Sequence, residues 1–164
     1  NRIKEPMKTV VVRPGNLYGP YDKFDWEKSK VVPALMRRAI EKQDPFVVWG
    51  DGMDIKDFLY IDDCIDGLIL AMEKLDGFEP INIASGEAVT IRDVLALILK
   101  ASDYQNAPVE YDSTKPTMIP KRMIDISLAK EKLGFQPKVS LEEGLNKTIE
   151  WYREYYYGVS PEGL

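Results

Sequence analysis

The chain has 164 residues, 45% hydrophobic and 30% charged, the composition of one globular domain rather than of a disordered or fibrous chain. With 22 Lys and Arg against 27 Asp and Glu, the net charge of -5 argues against non-specific nucleic-acid binding but permits a local anion site. Zero histidines and a single cysteine, Cys64, exclude His-ligated metals, Ser-His and Cys-His catalysis and an internal disulfide. Proton transfer is left to Lys, Tyr, Asp, Glu or Cys. No stretch approaches the roughly 20 apolar residues of a membrane span, and the opening NRIKEPMK has no signal-like apolar region. A soluble, cytoplasmic protein with no membrane or nucleic-acid partner is expected.

The predicted elements alternate between strand and helix. Residues 8–13 (KTVVVR) form a β-branched run of the kind buried on both faces of a sheet. Val31, Val32, Leu35, Met36, Ala39 and Ile40 recur at helical spacing, and Pro33 is tolerated in the first turn. Residues 46–49 read as a short strand closed by the hairpin-type pair Asp51-Gly52, with residues 57–61 returning. Asp62 or Asp63 is then placed to cap a helix presenting Cys64 or Ile65, Leu68, Ile69 and Met72 on one face.

Residues 80–84 (PINIA) are strand-like, and Thr90 with Asp93 makes a capping box ahead of a helix carrying Val94, Leu97, Ile98 and Ala101. Residues 109–111 predict a short strand, followed by a loop around Pro116 and Pro120. Ser127 is placed to cap a short helix that stops at Gly134, and Ser140 with Glu143 opens a last helix through Leu141, Leu145, Ile149 and Tyr152. The tail after Tyr157 is expected to fray. The chain is α/β, and a buried-type strand standing first, with no earlier element to flank it, leads to the expectation of a fragment.

Several apparent motifs yield to plainer readings. Asp62, Asp63 and Cys64 look like an acid pair with a nucleophile, yet the carboxylates stand where a helix needs its N-terminal cap and the thiol falls on the apolar face. Tyr111 and Lys115 spell Tyr-x-x-x-Lys, but they follow a strand and precede Pro116, whereas a catalytic pair needs a helix to stack its members one turn apart. Gly50 and Gly52 give Gly-x-Gly in a turn, with Ile55 where a third glycine would stand. Trp151, Tyr152, Tyr155, Tyr156 and Tyr157 read as a helix face docking on the body, the outer members being available to a partner such as a second copy in a homodimer.

Four segments in order carry a family resemblance: RPGNLYGP from Arg13, VVWGDGMDIKDFLYIDDCIDG from Val47, INIASGEAVTIRDV from Ile81 and PKRMIDISLAKEKLGFQPKVSLEEGL from Pro120. The chain resembles the C-terminal half of the extended short-chain dehydrogenase/reductase, or NAD-dependent epimerase/dehydratase, family. More narrowly it is similar to nucleotide-sugar enzymes of the GDP-fucose synthase and GDP-mannose 3,5-epimerase kind. The resemblance implies that residues 1–164 form the substrate-binding C-terminal region of an extended Rossmann-type enzyme, including late strands of the Rossmann sheet. It implies a partner, the N-terminal NAD(P)-binding Rossmann domain, which would carry the glycine-rich cofactor loop and the catalytic Tyr-x-x-x-Lys pair. NAD or NADP is thus expected in the complete enzyme and neither cofactor nor turnover in this chain alone, and no metal is expected.

The resemblance also implies site residues. Pro14, Gly15 and Leu17 would border the cofactor, and Asn16 would reach the substrate phosphate or ribose through its amide. Lys30 stands where GDP-fucose synthases carry a His acid and where GDP-mannose 3,5-epimerases place a Lys, so it is the expected general acid. Arg38, or its neighbour Arg37, would meet the diphosphate, as would Lys56, which replaces a family Arg, and Arg122, whose fork matches a phosphate bidentately. Trp49 would flank the substrate. Two readings of other classes stay open, a non-catalytic nucleoside-diphosphate-binding module and a purely structural α/β domain, as do the 4-epimerase and 4,6-dehydratase subtypes.

Overall fold

A computed structural model describes residues 8–115 and 119–157, the side chains of Tyr156 and Tyr157 excepted. The expected loop position Pro116 and the tail beyond Tyr157 lie outside the described residues. The first strand segment, β1 (Val12–Pro14), and the second, β2 (Asn16–Tyr18), are separated only by Gly15. Helix α1 (Val31–Ile40) follows, then β3 (Phe46–Trp49), β4 (Ile55–Lys56) and β5 (Phe58–Tyr60), which runs straight into α2 (Ile61–Lys74). The second half adds β6 (Ile81–Ile83), β7 (Val89–Thr90), α3 (Ile91–Ala101), β8 (Val109–Asp112), α4 (Ser127–Leu133) and α5 (Leu141–Tyr157).

The strands pair in four short ladders. β1 with β6, β2 with β5 and β3 with β8 are parallel, while β4 with β7 is antiparallel. Parallel pairs need crossovers, and the helices supply them, which is the α/β architecture expected from the alternation. Strand β5 shows why both faces are apolar: Leu59 enters one core with Cys64, Ala71, Ile81, Ile83, Leu133 and Phe135. Its neighbours Phe58 and Tyr60 point the other way, into a core built with Val32, Leu35, Met36, Val94, Ile98 and Leu145.

Local signals set several boundaries. Helix α1 begins at Val31 with Pro33 buried in its first turn, and Thr90 and Asp93 form a reciprocal capping box at the start of α3. Helix α4 ends on Gly134 at φ 67°, the left-handed stop that glycine favours. The Ser140 hydroxyl accepts from the Glu143 N–H at 3.2 Å, half of the box expected there.

Four expectations are corrected. The run 8–13 is strand only from Val12, and β1 has β6 as its single strand neighbour among the described residues, so its valines are half-buried rather than enclosed. Asp51-Gly52 does not close a hairpin, because β3 pairs in parallel with β8, 63 residues along the sequence, and the chain runs on to β4 instead. Asp62 and Asp63 do not cap α2, whose cap position is Tyr60 with no side-chain bond. Asp63 is buried and accepts from the Lys138 and Val139 N–H groups, each at 3.0 Å, tying the approach to α5 against α2. Ser127 does not cap α4 either; Asp125 accepts from its N–H at 2.8 Å and its hydroxyl at 2.6 Å.

Candidate functional site

The site is assembled around the turn between β3 and β4. Trp49 ends β3 with 54% of its surface exposed. The turn at residues 50–54 is pinned from three sides: Gly50 N–H donates to Asp112 at 2.9 Å, Arg92 N–H to Gly52 at 3.0 Å and Ile91 N–H to Asp54 at 3.1 Å. Arg92 also donates from Nε to the Asp51 carbonyl at 2.9 Å and stacks 4.5 Å over the Tyr111 ring. Gly52, at φ +75°, leaves the space they use, since a Cβ there would come within 2.7 Å of Tyr111 and 2.8 Å of Arg92. The turn thereby returns the chain so that Lys56 lies beside Trp49.

A cavity of about 340 Å³ opens against this turn, lined by Trp26, Glu27, Arg38, Trp49, Asp54 and Lys56 among others. Three of the predicted substrate-binding residues, Arg38 from α1, Trp49 from β3 and Lys56 from β4, thus converge from separate elements. Arg38 donates from Nη1 to the Val47 carbonyl at 2.5 Å, and its buried Nε has no hydrogen-bond partner among the described residues. Burial holds its guanidinium below its ordinary pKa, though still cationic at neutral pH. Lys56 pairs with Asp54 at 3.1 Å and also donates to the Ile119 carbonyl. Two cations and two carboxylates, Glu27 and Asp54, therefore face one space, and an anion entering must compete with Asp54 for Lys56.

A smaller hollow of about 130 Å³ shares Lys56 with this cavity and is lined by Asn16, Leu17, Lys30 and Phe58. Asn16 donates one Nδ2–H to the Asp57 carbonyl at 2.7 Å, which fixes the amide and leaves it a second N–H and its oxygen for a ligand. Lys30 caps the start of α1 without a side-chain cap bond, lies 67% exposed and sits 4.0 Å from Asp22. Its ammonium is largely exposed and faces the Asp22 carboxylate, and Lys56 lines the same hollow.

The remaining predicted positions lie apart. Arg122 is held beside Ile55 by its backbone N–H at 2.9 Å, but its side chain is exposed, lines neither hollow and has no partner among the described residues. Arg37, the alternative to Arg38, is engaged elsewhere: it pairs with Glu41 at 2.8 Å, donates to Phe24 and stacks over Trp26. Pro14 is exposed on β1, and at Gly15 a Cβ would meet Ala84 at 3.0 Å and Ile124 at 3.2 Å.

Sequence reasoning missed Asp57, Asp54 and the Arg92–Tyr111 brace. Asp57 is fully buried; Ser85 N–H and hydroxyl donate to one oxygen at 2.9 and 2.8 Å, and Gly86 N–H to the other at 2.9 Å. Asp54 was legible in principle, because residues two apart on an extended segment share a side and the pair Asp54 and Lys56 has opposite charge. Nothing local marks Arg92, which lies 40 residues beyond Gly52 in the sequence.

With this geometry in hand, the chain falls in a defined class: it belongs to the NAD dependent epimerase/dehydratase family, which matches residues 2–84. Among curated relatives it is 39% identical over 157 residues to the putative GDP-L-fucose synthase 2 of Arabidopsis thaliana, covering 93% of this chain and 47% of that protein. It is 35% identical over 149 residues to a GDP-mannose 3,5-epimerase 1 of Oryza sativa, covering 91% of this chain and 39% of the relative. Among solved structures, the UDP-glucose 4-epimerase of Thermotoga maritima with UDP-glucose superposes with a TM-score of 0.82 at 35% identity, over 92% of this chain and 47% of that one. The UDP-glucuronic acid 4-epimerase of Bacillus cereus with UDP-glucuronic acid and NAD gives 0.77 at 31%, over 90% and 46%. The chain spans about half the length of the relatives it matches. No described helix is long and apolar enough to cross a membrane.

Proposed function

We propose that residues 1–164 are the C-terminal, substrate-binding half of an NAD(P)-dependent nucleotide-sugar epimerase or reductase of the GDP-fucose synthase kind. One observation carries the reading: Arg38, Trp49 and Lys56, singled out individually, line one cavity. In this reading Arg38 and Lys56 neutralise the diphosphate, Trp49 covers the nucleotide sugar from the rim, Asn16 orients it from the adjoining hollow, and Arg122 closes on it from solvent. Arg38 is suited to the task, because its guanidinium keeps further N–H donors after the bond to Val47.

NAD(P) supplies hydride exchange when bound by the complete enzyme. Toward it this chain offers only the strand edge at Pro14, Gly15 and Leu17; the glycine-rich loop and the Tyr-x-x-x-Lys pair belong to the other half. Lys30 is assigned proton donation to a sugar carbon, its ammonium losing a proton to the carbanion formed there. Its exposure favours a second reading, a 4-epimerase or 4,6-dehydratase, in which no acid is needed at this position.

Calorimetric titration of the purified chain tests the proposal. GDP is expected to bind and the Lys56→Ala variant to bind it at least about tenfold more weakly, the scale of one lost charge-assisted hydrogen bond. NAD(H) is expected not to bind and no nucleotide sugar to turn over. Absence of GDP binding, or equal binding by the variant, would refute the assignment.

A further inference from the structure

The two carboxylates that face the cavity differ in their engagement. Asp54 is paired with Lys56 at 3.1 Å, whereas the Glu27 side chain has no hydrogen-bond or ion-pair partner among the described residues. Its backbone nevertheless holds Glu27 in place. It lies on a turn ahead of α1 in which the Asp25 carboxylate accepts from the Glu27 N–H at 3.1 Å and from the Lys28 N–H, while the Ser29 hydroxyl donates to the Asp25 carbonyl. Trp26, on the same turn, lines the cavity with half of its surface exposed. The Arg37 guanidinium lies 4.5 Å from the centroid of that indole and donates to the Phe24 carbonyl at 2.8 Å, so a residue outside the cavity braces the ring.

The lining also includes Val31, Leu35, Val48 and Ile91, an apolar wall suited to a planar base. Stacking on an indole favours every base, because each has a π face, so it supplies affinity without choice. Choice must come from the edge of the base. A carboxylate with no cation of its own repels a diphosphate, and Glu27 is compatible with such a ligand where it meets donors instead. It accepts and cannot donate, and it can take two parallel bonds. Guanine alone among the common bases sets two N–H donors, N1–H and N2–H, side by side on its pairing edge. Adenine and cytosine place a ring-nitrogen acceptor beside their amino group, and uracil flanks its N3–H with two carbonyls. Each of these would turn an acceptor toward a carboxylate oxygen.

We propose that Glu27 selects the base of the nucleotide: its carboxylate accepts from N1–H and N2–H of a guanine stacked on Trp26. The inference rests on the nucleoside-diphosphate reading of this cavity and adds to it the residue that reads the base. The turn that carries Trp26 and Glu27 thus provides both the platform and the edge contact.

Calorimetric titration of the chain with GDP, UDP, ADP and xanthosine diphosphate tests it. Wild type is expected to bind GDP at least about tenfold more tightly than the other three, the scale of one lost bond to a charged group. In Glu27→Gln the amide oxygen still accepts from N1–H, but an NH₂ now faces position 2, where the guanine amino group opposes it and the xanthine carbonyl accepts from it. The variant should lose at least about tenfold toward GDP and gain at least about tenfold toward xanthosine diphosphate, a gain that a misfolded chain does not show. Wild type that binds GDP and UDP alike, or a variant that keeps the preference for GDP, overturns the proposal. So does a variant weakened equally toward GDP and UDP, which would put Glu27 on the ribose. If Lys56→Ala still weakens binding in those cases, this inference falls and the diphosphate site stands. A guanine preference that Lys56→Ala leaves at full strength refutes the diphosphate assignment alone, and a chain that binds no nucleotide refutes both.

Discussion

Asn16 and Asp57 are joined by a hydrogen bond of 2.7 Å from the Asn16 amide to the Asp57 backbone carbonyl, so the residue assigned to the ligand is fixed by a residue buried behind it. The Asp57 carboxylate in turn holds the Ser85 and Gly86 N–H groups. One buried aspartate thus ties β2, β5 and the loop after β6 together beneath the candidate site. Asp57→Asn replaces an acceptor-only group by one whose NH₂ must face a donor. It is expected to destabilise the chain by about 2–4 kcal/mol, measured by urea unfolding, because buried donors lose charge-assisted bonds.

The turn carrying Trp49 gives a second test. Gly52→Ala forces a side chain into the space between Tyr111 and Arg92 at a φ of +75° and should cost about 2–4 kcal/mol. Arg92→Ala removes one hydrogen bond and the stack on Tyr111 and should cost about 1 kcal/mol. Urea unfolding followed by tryptophan emission separates the two.

How much of this was legible follows physical lines. Helix α1 was readable end to end, because its apolar spacing and first-turn proline are local. The pairing of β3 with β8 was not, since Asp51-Gly52 signals a turn and says nothing about which strand lies alongside. Helix α2 misled for a related reason: Ile65, Ile69 and Met72 are as apolar as a core face, yet the packed side is Cys64, Gly67 and Ala71, small residues that let the helix sit close on the sheet. Of the site, individual positions were legible by resemblance. Their convergence on one cavity, the exposure of Lys30 and the remoteness of the Arg122 side chain were not, because each depends on contacts across the sequence.

Stability at alkaline pH should report on Tyr18. Burial, with neighbouring Tyr60, Asp63 and Glu143, pushes its phenol above the ordinary 10.0. The folded chain therefore holds this proton more tightly than the unfolded chain, so the stabilisation is complete below about pH 10 and drains as pH rises beyond it. Tyr18→Phe, which cannot ionise, should lose less stability than wild type between about pH 9 and 11 by urea unfolding. Part of the loss should remain, since the Tyr60 phenol is raised by burial as well.

Lys30 decides between subtypes. In a complete enzyme containing this half, Lys30→Met should abolish solvent-deuterium incorporation at one sugar carbon while hydride transfer at C4 survives, because only the proton donor is lost. Exchange at the wild-type rate would leave Lys30 a solvated partner of Asp22 and favour the 4-epimerase or dehydratase reading.

The central claim is that Arg38, Trp49 and Lys56 form the nucleoside-diphosphate site, and an amide NMR titration of the labelled chain with GDP tests it most directly. The account predicts that the largest shift changes fall on the Trp49 indole, Arg38, Lys56 and Asn16. Changes centred instead on the open polar hollow of Lys74, Asp76, Glu79 and Lys132, or none at all, would contradict it.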